Sequence, residues 1–268
     1  MILDFSKPKV MGILNITPDS FFDGNRYITE TAILKRVEQM NREGADIIDI
    51  GAFSSRPGAQ LVSYELERQR LMPVLVSIKK HFPDILISID TYRSQIAREA
   101  IERGAHIIND ISAGNLDNKM FATVAALNVP YVMMHMKGIP ENMQNNPYYD
   151  NIVSELLAFF KQKIGLLKTY GFDKIIIDPG FGFGKTIDQN YQLLKHLTAF
   201  KKLGFPVLAG ISRKSMLYKL LQITPDEALN ATAVANTVAL LNGADILRVH
   251  DVKQAVETVK IVEQLKRV

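Results

Sequence analysis

Eight positions along this 268-residue chain place a polar or ionisable group at the end of a short apolar run. They are Asn15, Asp49, Asp90, Asn109, His135, Asp178, the run Ser212-Arg213-Lys214-Ser215, and Arg248 with His250. Taken singly, each has a plain reading. An aspartate after a strand is most often a helix cap or a turn former, and His135 or His250 alone reads as a buried or surface polar residue. Eight such endings together favour a site. Cations also fall within glycine- and serine-rich loops, as Arg56, Lys185, Arg213, Lys214 and Arg248. That placement suits a small anionic substrate better than a polymer.

The elements that must position these groups show in a repeat. Four segments begin with a glycine that closes a helical stretch and continue as an apolar strand: Gly44 to Asp49, Gly104 to Asp110, Gly171 to Asp178 and Gly243 to His250. Their glycines lie 60, 67 and 72 residues apart, about twice the 30-odd residues of one strand-plus-helix unit. Glycine just past a helix takes the left-handed closing conformation, and the β-branched run after it suits a strand buried on both faces. Val10–Leu14, Ile85–Asp90, Val129–His135 and Pro206–Gly210 supply the other strands, making eight. Helical patterns alternate with them: Thr31–Arg42, Tyr64–His81, Ser94–Arg103, Asp117–Leu127, Ile152–Tyr170, Gln189–Leu203, Pro225–Leu241 and Val252–Lys266. Strict alternation predicts a parallel sheet, and eight units in this length fit an α/β fold of the closed (β/α)8 type, a TIM barrel. An open doubly wound sheet is the alternative. In a closed barrel the polar endings all gather at the C-terminal face of the strands, where the chemistry of such barrels sits.

Composition predicts one domain over residues 1–268, with 47% hydrophobic and 22% charged residues and no low-complexity run. No apolar stretch reaches 18 residues, so no membrane span is expected. The start, Met1-Ile-Leu-Asp-Phe-Ser-Lys7, lacks a secretory pattern. With no cysteine, disulfides, thiolate metal sites and thiol catalysis are excluded, and the expected location is cytoplasmic. The net charge of +4 is a mild excess with no basic stripe, so nucleic acid is not an expected partner.

Several catalytic motifs fail. Gly180-Phe-Gly-Phe-Gly-Lys-Thr186 has Pro179 where a phosphate-binding loop needs its first glycine, and Lys185 where a dinucleotide motif needs its third. The five histidines are never one or three residues apart as a zinc hydrolase would place them, and no Gly-x-Ser-x-Gly elbow is present. Nucleotide hydrolysis, zinc hydrolysis and serine acyl transfer drop out.

What remains resembles the dihydropteroate synthases over nearly the whole chain. The residues that carry the resemblance are Met11-Gly-Ile-Leu-Asn-Ile-Thr-Pro-Asp-Ser-Phe21, Ser55-Arg-Pro-Gly58, Ile89-Asp-Thr91, Asn109-Asp-Ile-Ser112, Asp178-Pro-Gly-Phe-Gly-Phe-Gly-Lys185, Gly210-Ile-Ser-Arg-Lys-Ser215 and Arg248-Val-His-Asp251. The resemblance implies a (β/α)8 fold and condensation of 6-hydroxymethyl-7,8-dihydropterin diphosphate with 4-aminobenzoate, giving 7,8-dihydropteroate and diphosphate in folate biosynthesis. It further implies Mg2+ as cofactor, sulfonamides as mimics of aminobenzoate, and a homodimer.

By the same resemblance, Asp178 accepts from the guanidine-like edge of the pterin, with Asp90 and Asn109 completing the hydrogen bonds. Lys214 donates to the ring acceptors, and Arg248 lies flat on the pterin face, a stacking its planar guanidinium suits. The diphosphate sits among Asn15, which holds it through magnesium, Ser55, Arg248 and His250. Arg56 and Ser215 complete the substrate contacts, Ser215 on the aminobenzoate side. Asp90, Lys214 and Arg248 are the expected catalytic groups. Two loops, Asn15–Asn25 and Gly51–Gln60, resemble the family's mobile lids. Here the chain departs from the common pattern: Phe22-Asp23-Gly24 replaces Ser-Asp-Gly, and Ala52-Phe-Ser-Ser-Arg-Pro57 replaces Gly-Glu-Ser-Thr-Arg-Pro. Ser55 keeps the hydroxyl of the usual threonine, while Phe22 and Phe53 leave the lining of the aminobenzoate pocket open. Two rival functions are a pterin-dependent methyltransferase barrel, which would not need the 212–215 and 248–250 sets, and a non-catalytic pterin-binding paralogue.

Overall fold

The computed structural model describes residues 3–16, 30–53, 62–139 and 141–268. Eight strands are present among them: β1 (Lys9–Asn15), β2 (Ile47–Gly51), β3 (Leu86–Asp90), β4 (Ile107–Asp110), β5 (Tyr131–Met134), β6 (Ile175–Asp178), β7 (Leu208–Ala209) and β8 (Ile246–Val249). All ladders are parallel, in the order β6-β5-β4-β3-β2-β1-β8-β7. The ends of that order meet. A parallel bridge joins Ile177 of β6 to Val207 beside β7, and the Ile177 N–H donates to the Pro206 carbonyl at 2.8 Å. The sheet is therefore a closed ring rather than an open, doubly wound one.

Around the ring run α1 (Glu30–Glu43), α2 (Tyr64–His81), α3 (Ser94–Glu102), α4 (Met120–Leu127), α5 (Ile152–Thr169), α6 (Ile187–Lys195), α7 (Thr198–Lys201), α8 (Ser215–Leu221), α9 (Leu229–Leu241) and α10 (Val252–Arg267). The four repeat glycines all carry positive φ, at Gly44 (94°), Gly104 (99°), Gly171 (69°) and Gly243 (92°), as helix closure requires. Two differences from the sequence reading stand out. The single helix expected over Gln189–Leu203 is broken into α6 and α7. There the Asn242 amide takes the Leu194 carbonyl at 2.8 Å and the Thr198 hydroxyl donates to the Asn242 carbonyl at 3.1 Å, so docking on the end of α9 interrupts the helix. A short helix not expected from the pattern, α8, follows Lys214 directly.

Strand residues alternate between two environments. Outward residues such as Ile48, Ile50, Ile87, Ile89, Ile177 and Leu247 pack in the main core with the helices. Inside the barrel, one residue from each strand forms a plug: Met11, Ile47, Leu86, Ile107, Val132, Ile176, Leu208 and Ile246, with Leu3 and Phe5 packed against it. Two residues further along each strand the same inward face carries Ile13, Asp49, Ser88, Asn109, Met134, Asp178, Gly210 and Arg248. The expected site residues are thus set on a solid apolar floor. No helix among the described residues is long and apolar enough to cross a membrane.

Candidate active site

The upper inward ring is polar at five of its eight positions and incompletely paired. Arg248 on β8 reaches across the barrel, its Nε donating to Asp49 Oδ2 at 2.6 Å and its Nη2 to Asp90 Oδ2 at 2.7 Å. Asn109 donates to the same Asp49 oxygen at 3.0 Å. Among the described residues, four other buried oxygens at this level have no hydrogen-bond partner: Asp49 Oδ1, Asp90 Oδ1, Asn109 Oδ1 and Ser88 Oγ. Unmade bonds of this kind are costly in a native interior. The neighbouring Asp110 shows the contrast, because it faces outward and accepts from the Ser112 N–H, the Ser112 hydroxyl, the Gly114 N–H and the Tyr131 hydroxyl at 2.7–2.8 Å.

Asp178, at the end of β6, accepts the Gly180 N–H at 2.7 Å. Burial raises its pKa while the charge of Lys214 opposes that rise. Lys214 precedes α8; its ammonium donates to the Phe181 carbonyl and stands 4.7 Å from the centroid of the Phe183 ring. Burial pulls Lys214 down to about 8, with Asp178 working against it and Arg248 with it. Burial likewise pushes Asp90 up to about 7, relieved by Arg248 and reinforced by Asp49. Desolvation works against the charge on Arg248, but Asp49 and Asp90 outweigh it and the guanidinium stays protonated. Three carboxylates and two cations therefore share one desolvated site, where each charge is tolerated only because of the others.

The Ser212-Lys214 turn is shaped by Arg213, at φ 55°. Its guanidinium grips Asp251 through two bonds of 2.9 and 2.8 Å and Asp226 through a third at 3.1 Å. Arg213 is a clamp rather than an anion ligand, and it turns Lys214 inward. Ser212 Oγ accepts the His250 backbone N–H and lies 3.2 Å from His250 Nδ1. The tautomer of the ring decides which of the two donates in that contact. Asn15 ends β1 beside Gly51 and Asp90: a Cβ on Gly51 would be 3.5 Å from both Asn15 Oδ1 and Asp90 Cβ. Ser215 opens α8.

Asp90, Asn109, Asp178, Lys214 and Arg248 are thus brought to one barrel mouth, with Asn15, Ser215 and His250 on its strand-end and loop rim. Ser55, Arg56 and Phe22, with most of both lid segments, lie outside the described residues. Phe53 is buried at the β2 exit, edge-to-face with Tyr92 at 5.6 Å, in an apolar patch with Ile111, Met134, Met136, Met143 and Phe183. That patch meets the polar groups at Phe183, whose ring stands against Lys214. Two residues play parts that their sequence context does not give. Asp49 holds Arg248 and Asn109 together, and its signal was its place two residues beyond the plug residue Ile47. Lys185, expected as a loop cation suited to an anionic substrate, is instead almost wholly buried and donates to the Gly180 and Phe183 carbonyls.

Residues 11–250 match the family model described as pterin binding enzyme. Among curated relatives, the dihydropteroate synthase of Escherichia coli K12 is 43% identical over 263 residues, covering 97% of this chain and 93% of that protein. The one from Synechocystis sp. is 42% identical, covering 96% and 90%. The chain belongs to the dihydropteroate synthase family. Solved structures agree. The Yersinia pestis dihydropteroate synthase in a sulfonamide drug complex superposes with a TM-score of 0.94 at 40% identity, covering 100% of this chain and 98% of that one. The Xanthomonas albilineans dihydropteroate synthase with 4-aminobenzoic acid gives 0.92 at 39%, covering 99% and 96%. The activity is that of a dihydropteroate synthase, a transferase. A methyltransferase barrel and a non-catalytic paralogue are the readings this displaces.

Proposed function

We propose that the upper ring is the pterin subsite of this synthase and that its loop rim holds the diphosphate and the aminobenzoate. The observation that carries the reading is the set of buried oxygens without partners among the described residues, on Asp49, Asp90, Asn109 and Ser88. A flat heterocycle rich in N–H groups supplies the missing donors. Asp178 accepts from the pyrimidine edge, and Asp90 and Asn109 accept from the other side. An analogue lacking one N–H leaves a buried carboxylate oxygen unpaired, so the site rejects it strongly. Lys214 donates to the ring acceptors from between Phe181 and Phe183. Arg248 stacks on the ring and reaches the diphosphate with His250.

Magnesium suits the residues present only as an ion carried in by substrate. Among the described residues no group of three His, Asp or Glu side chains could hold a metal. Asn15 Oδ1 at the β1 end is a single hard oxygen, the type of partner Mg2+ takes alongside phosphate oxygens and water. The bound ion would neutralise charge on the diphosphate. On the protein side, Arg248 and His250 stabilise the same charge as the methylene C–O bond breaks and its electron pair leaves with diphosphate. The methylene cation is delocalised into the pterin. The aminobenzoate nitrogen then forms the C–N bond and releases its proton to solvent or diphosphate. Ser215 borders the aminobenzoate, and Ser55 and Arg56 close the anion end by family resemblance.

A homodimer belongs to the same proposal. Val234, Val238 and Leu241 on α9 and Ile261 and Leu265 on α10 are all exposed, on two helices that pack together. Large apolar residues exposed on two adjoining helices suit an interface between copies. Light scattering of Val234→Glu/Ile261→Glu should then show monomer where the native chain shows dimer. A cytoplasmic location follows from substrate chemistry, since a phosphorylated pterin stays in the compartment where it is made. The deciding assay incubates the protein with both substrates and Mg2+ and detects 7,8-dihydropteroate and diphosphate. Pterin binding without product would sink the catalytic reading.

A further inference from the structure

Glu67, near the start of α2, is fully buried and takes no part in the mechanism, yet both of its carboxylate oxygens are engaged. Oε1 accepts the Thr91 hydroxyl at 2.6 Å, and Oε2 accepts from Nη1 of Arg93. The other arm of the same guanidinium, Nη2, donates to the Val62 carbonyl. Arg93 also lies over the Tyr92 ring, its Cζ 4.5 Å from the centroid. An arginine stays charged at any working pH, and its rigid fork serves a carboxylate and a carbonyl at once.

These contacts meet at the two ends of one connection. The chain leaves β2 through Ala52 and Phe53, and it reaches α2 through Val62 and the cap residue Ser63. At the leaving end, Phe53 packs edge-to-face on Tyr92 at 5.6 Å, and Arg70 on α2 donates to the Ala52 carbonyl at 3.2 Å. At the arriving end, Val62 is bonded to Arg93 and packs against the patch that holds Phe53 and Tyr92. The same cluster adjoins the pterin subsite, because Thr91 follows Asp90 and its N–H donates to the Asn109 carbonyl at 2.9 Å. A buried ion pair is weak evidence of added stability, since apolar side chains of similar volume often do as well. Directional bonds that hold two chain ends against the exit of β3 are a use an apolar pair does not serve.

We propose that Arg93, held by Glu67, is a positioning residue for the anion end of the substrate site: it ties both ends of the β2–α2 connection to the exit of β3. That connection carries Ser55 and Arg56, which lie outside the described residues. The inference rests on their assignment to the anion end of the substrates. Arg93 acts through the chain and not on substrate, its guanidinium being occupied by Glu67, Val62 and the Tyr92 face. Binding groups misplaced by even an ångström lose much of their effect, so the tie is read in substrate affinity.

The test is a split between substrates. Arg93→Met removes both hydrogen bonds and keeps an apolar stem over Tyr92. It should raise KM for aminobenzoate and for the pterin diphosphate about tenfold, with kcat within about threefold. Calorimetric binding of free pterin, which carries no anionic group, should stay within about twofold of native. In an Arg56→Ala background, Arg93→Met should add no more than about twofold to KM, because effects through a shared partner do not add. A merely structural role gives the opposite pattern: kinetic losses that add, with free pterin weakened alongside. Glu67→Gln turns one acceptor oxygen into a donor while Arg93 stays in place; it should show the same split at smaller size, and it carries the test if Arg93→Met does not fold. Native KM values in both variants, additive losses, an equal loss of free pterin, or failure of both variants to fold would overturn the proposal. If Arg56→Ala itself keeps native KM values, the assignment of the connection fails first and the inference goes with it.

Discussion

The lower inward ring, Met11, Ile47, Leu86, Ile107, Val132, Ile176, Leu208 and Ile246, is apolar and packed shut, whereas the ring two residues above it carries Asp49, Ser88, Asn109, Asp178 and Arg248 and is left with oxygens unpaired among the described residues. The two stand on the same strands, separated by roughly 6–7 Å. Each lower residue has its contacts made by its neighbours in the ring. At this level Arg248 and Asn109 both converge on one oxygen of Asp49, while the other oxygen and its counterpart on Asp90, two residues beyond Ser88, find no partner among the described residues. The difference separates what holds the barrel from what it holds. Closure and the floor are complete without a ligand; the mouth is complete only with one. Substitutions in the two rings should therefore fail in different measurements.

The largest separation should come from the metal and from Asp178. Chelating Mg2+, or Asn15→Ala, should take turnover below detection while calorimetric binding of free pterin stays within about twofold, since the ring needs no ion to accept N–H donors. Turnover that survives chelation would remove the ion from the proposal. Asp178→Asn turns an acceptor into a donor aimed at the donors of the ring. Breaking a buried charged pair of this kind costs about 2–5 kcal/mol, so kcat/KM should fall about 30- to 5,000-fold. The melting temperature should barely move. A variant that keeps native kcat/KM would show that the pterin edge lies elsewhere.

The lower ring should give the converse. Ile107→Ala leaves a hole in the plug, and such truncations cost about 2–5 kcal/mol of stability. Denaturant unfolding should register that loss, while kcat/KM of the folded fraction stays within a few-fold. If kcat/KM fell as steeply as for Asp178→Asn, the floor would be part of the site and the contrast between the rings would be false.

The unequal visibility of these two regions in the sequence has a physical cause. A strand buried on both faces is written as a continuous β-branched run, so Ile47-Ile-Asp-Ile and Ile107-Ile-Asn-Asp announce strand and polar ending together. The glycine repeat announces the helix closures in the same way. Asp90, Asn109, Asp178, Lys214 and Arg248 were legible because each sits where a local pattern stops. Asp49 was seen as an ending without a role, because its role lies in a bond to Arg248, 199 positions along the chain. Lys185 and Arg213 both read as loop cations suited to an anion, because a sequence does not show that the first is tied to the Gly180 and Phe183 carbonyls and the second to Asp251 and Asp226. The break between α6 and α7 depends on Asn242, which no periodicity within residues 189–203 could reveal.

The smallest effect expected is on the pH dependence of stability, and it tests whether the upper ring is strained in the free protein. Burial places Asp90 at about 7 in the fold, against an ordinary carboxyl value of 3.8, with Arg248 lowering it and Asp49 raising it. A group whose pKa is raised on folding binds its proton more tightly in the native state. Its contribution is fully present below pH 3.8 and fades as pH rises through 7. The native protein should therefore lose stability relative to Asp90→Asn between pH 5 and 8, because the variant has no proton to give up at that position. Comparing the change across pH, rather than the absolute melting temperature, removes the constant cost of the amide. Lys214, lowered to about 8, works in the opposite direction only above that pH, so it does not mask the window. Saturating pterin should remove the difference, since its N–H groups supply donors for the ionised carboxylate. Parallel melting curves for the native and Asp90→Asn proteins from pH 5 to 8 would mean that Arg248 already satisfies Asp90, and that the mouth of the barrel is as settled as its floor.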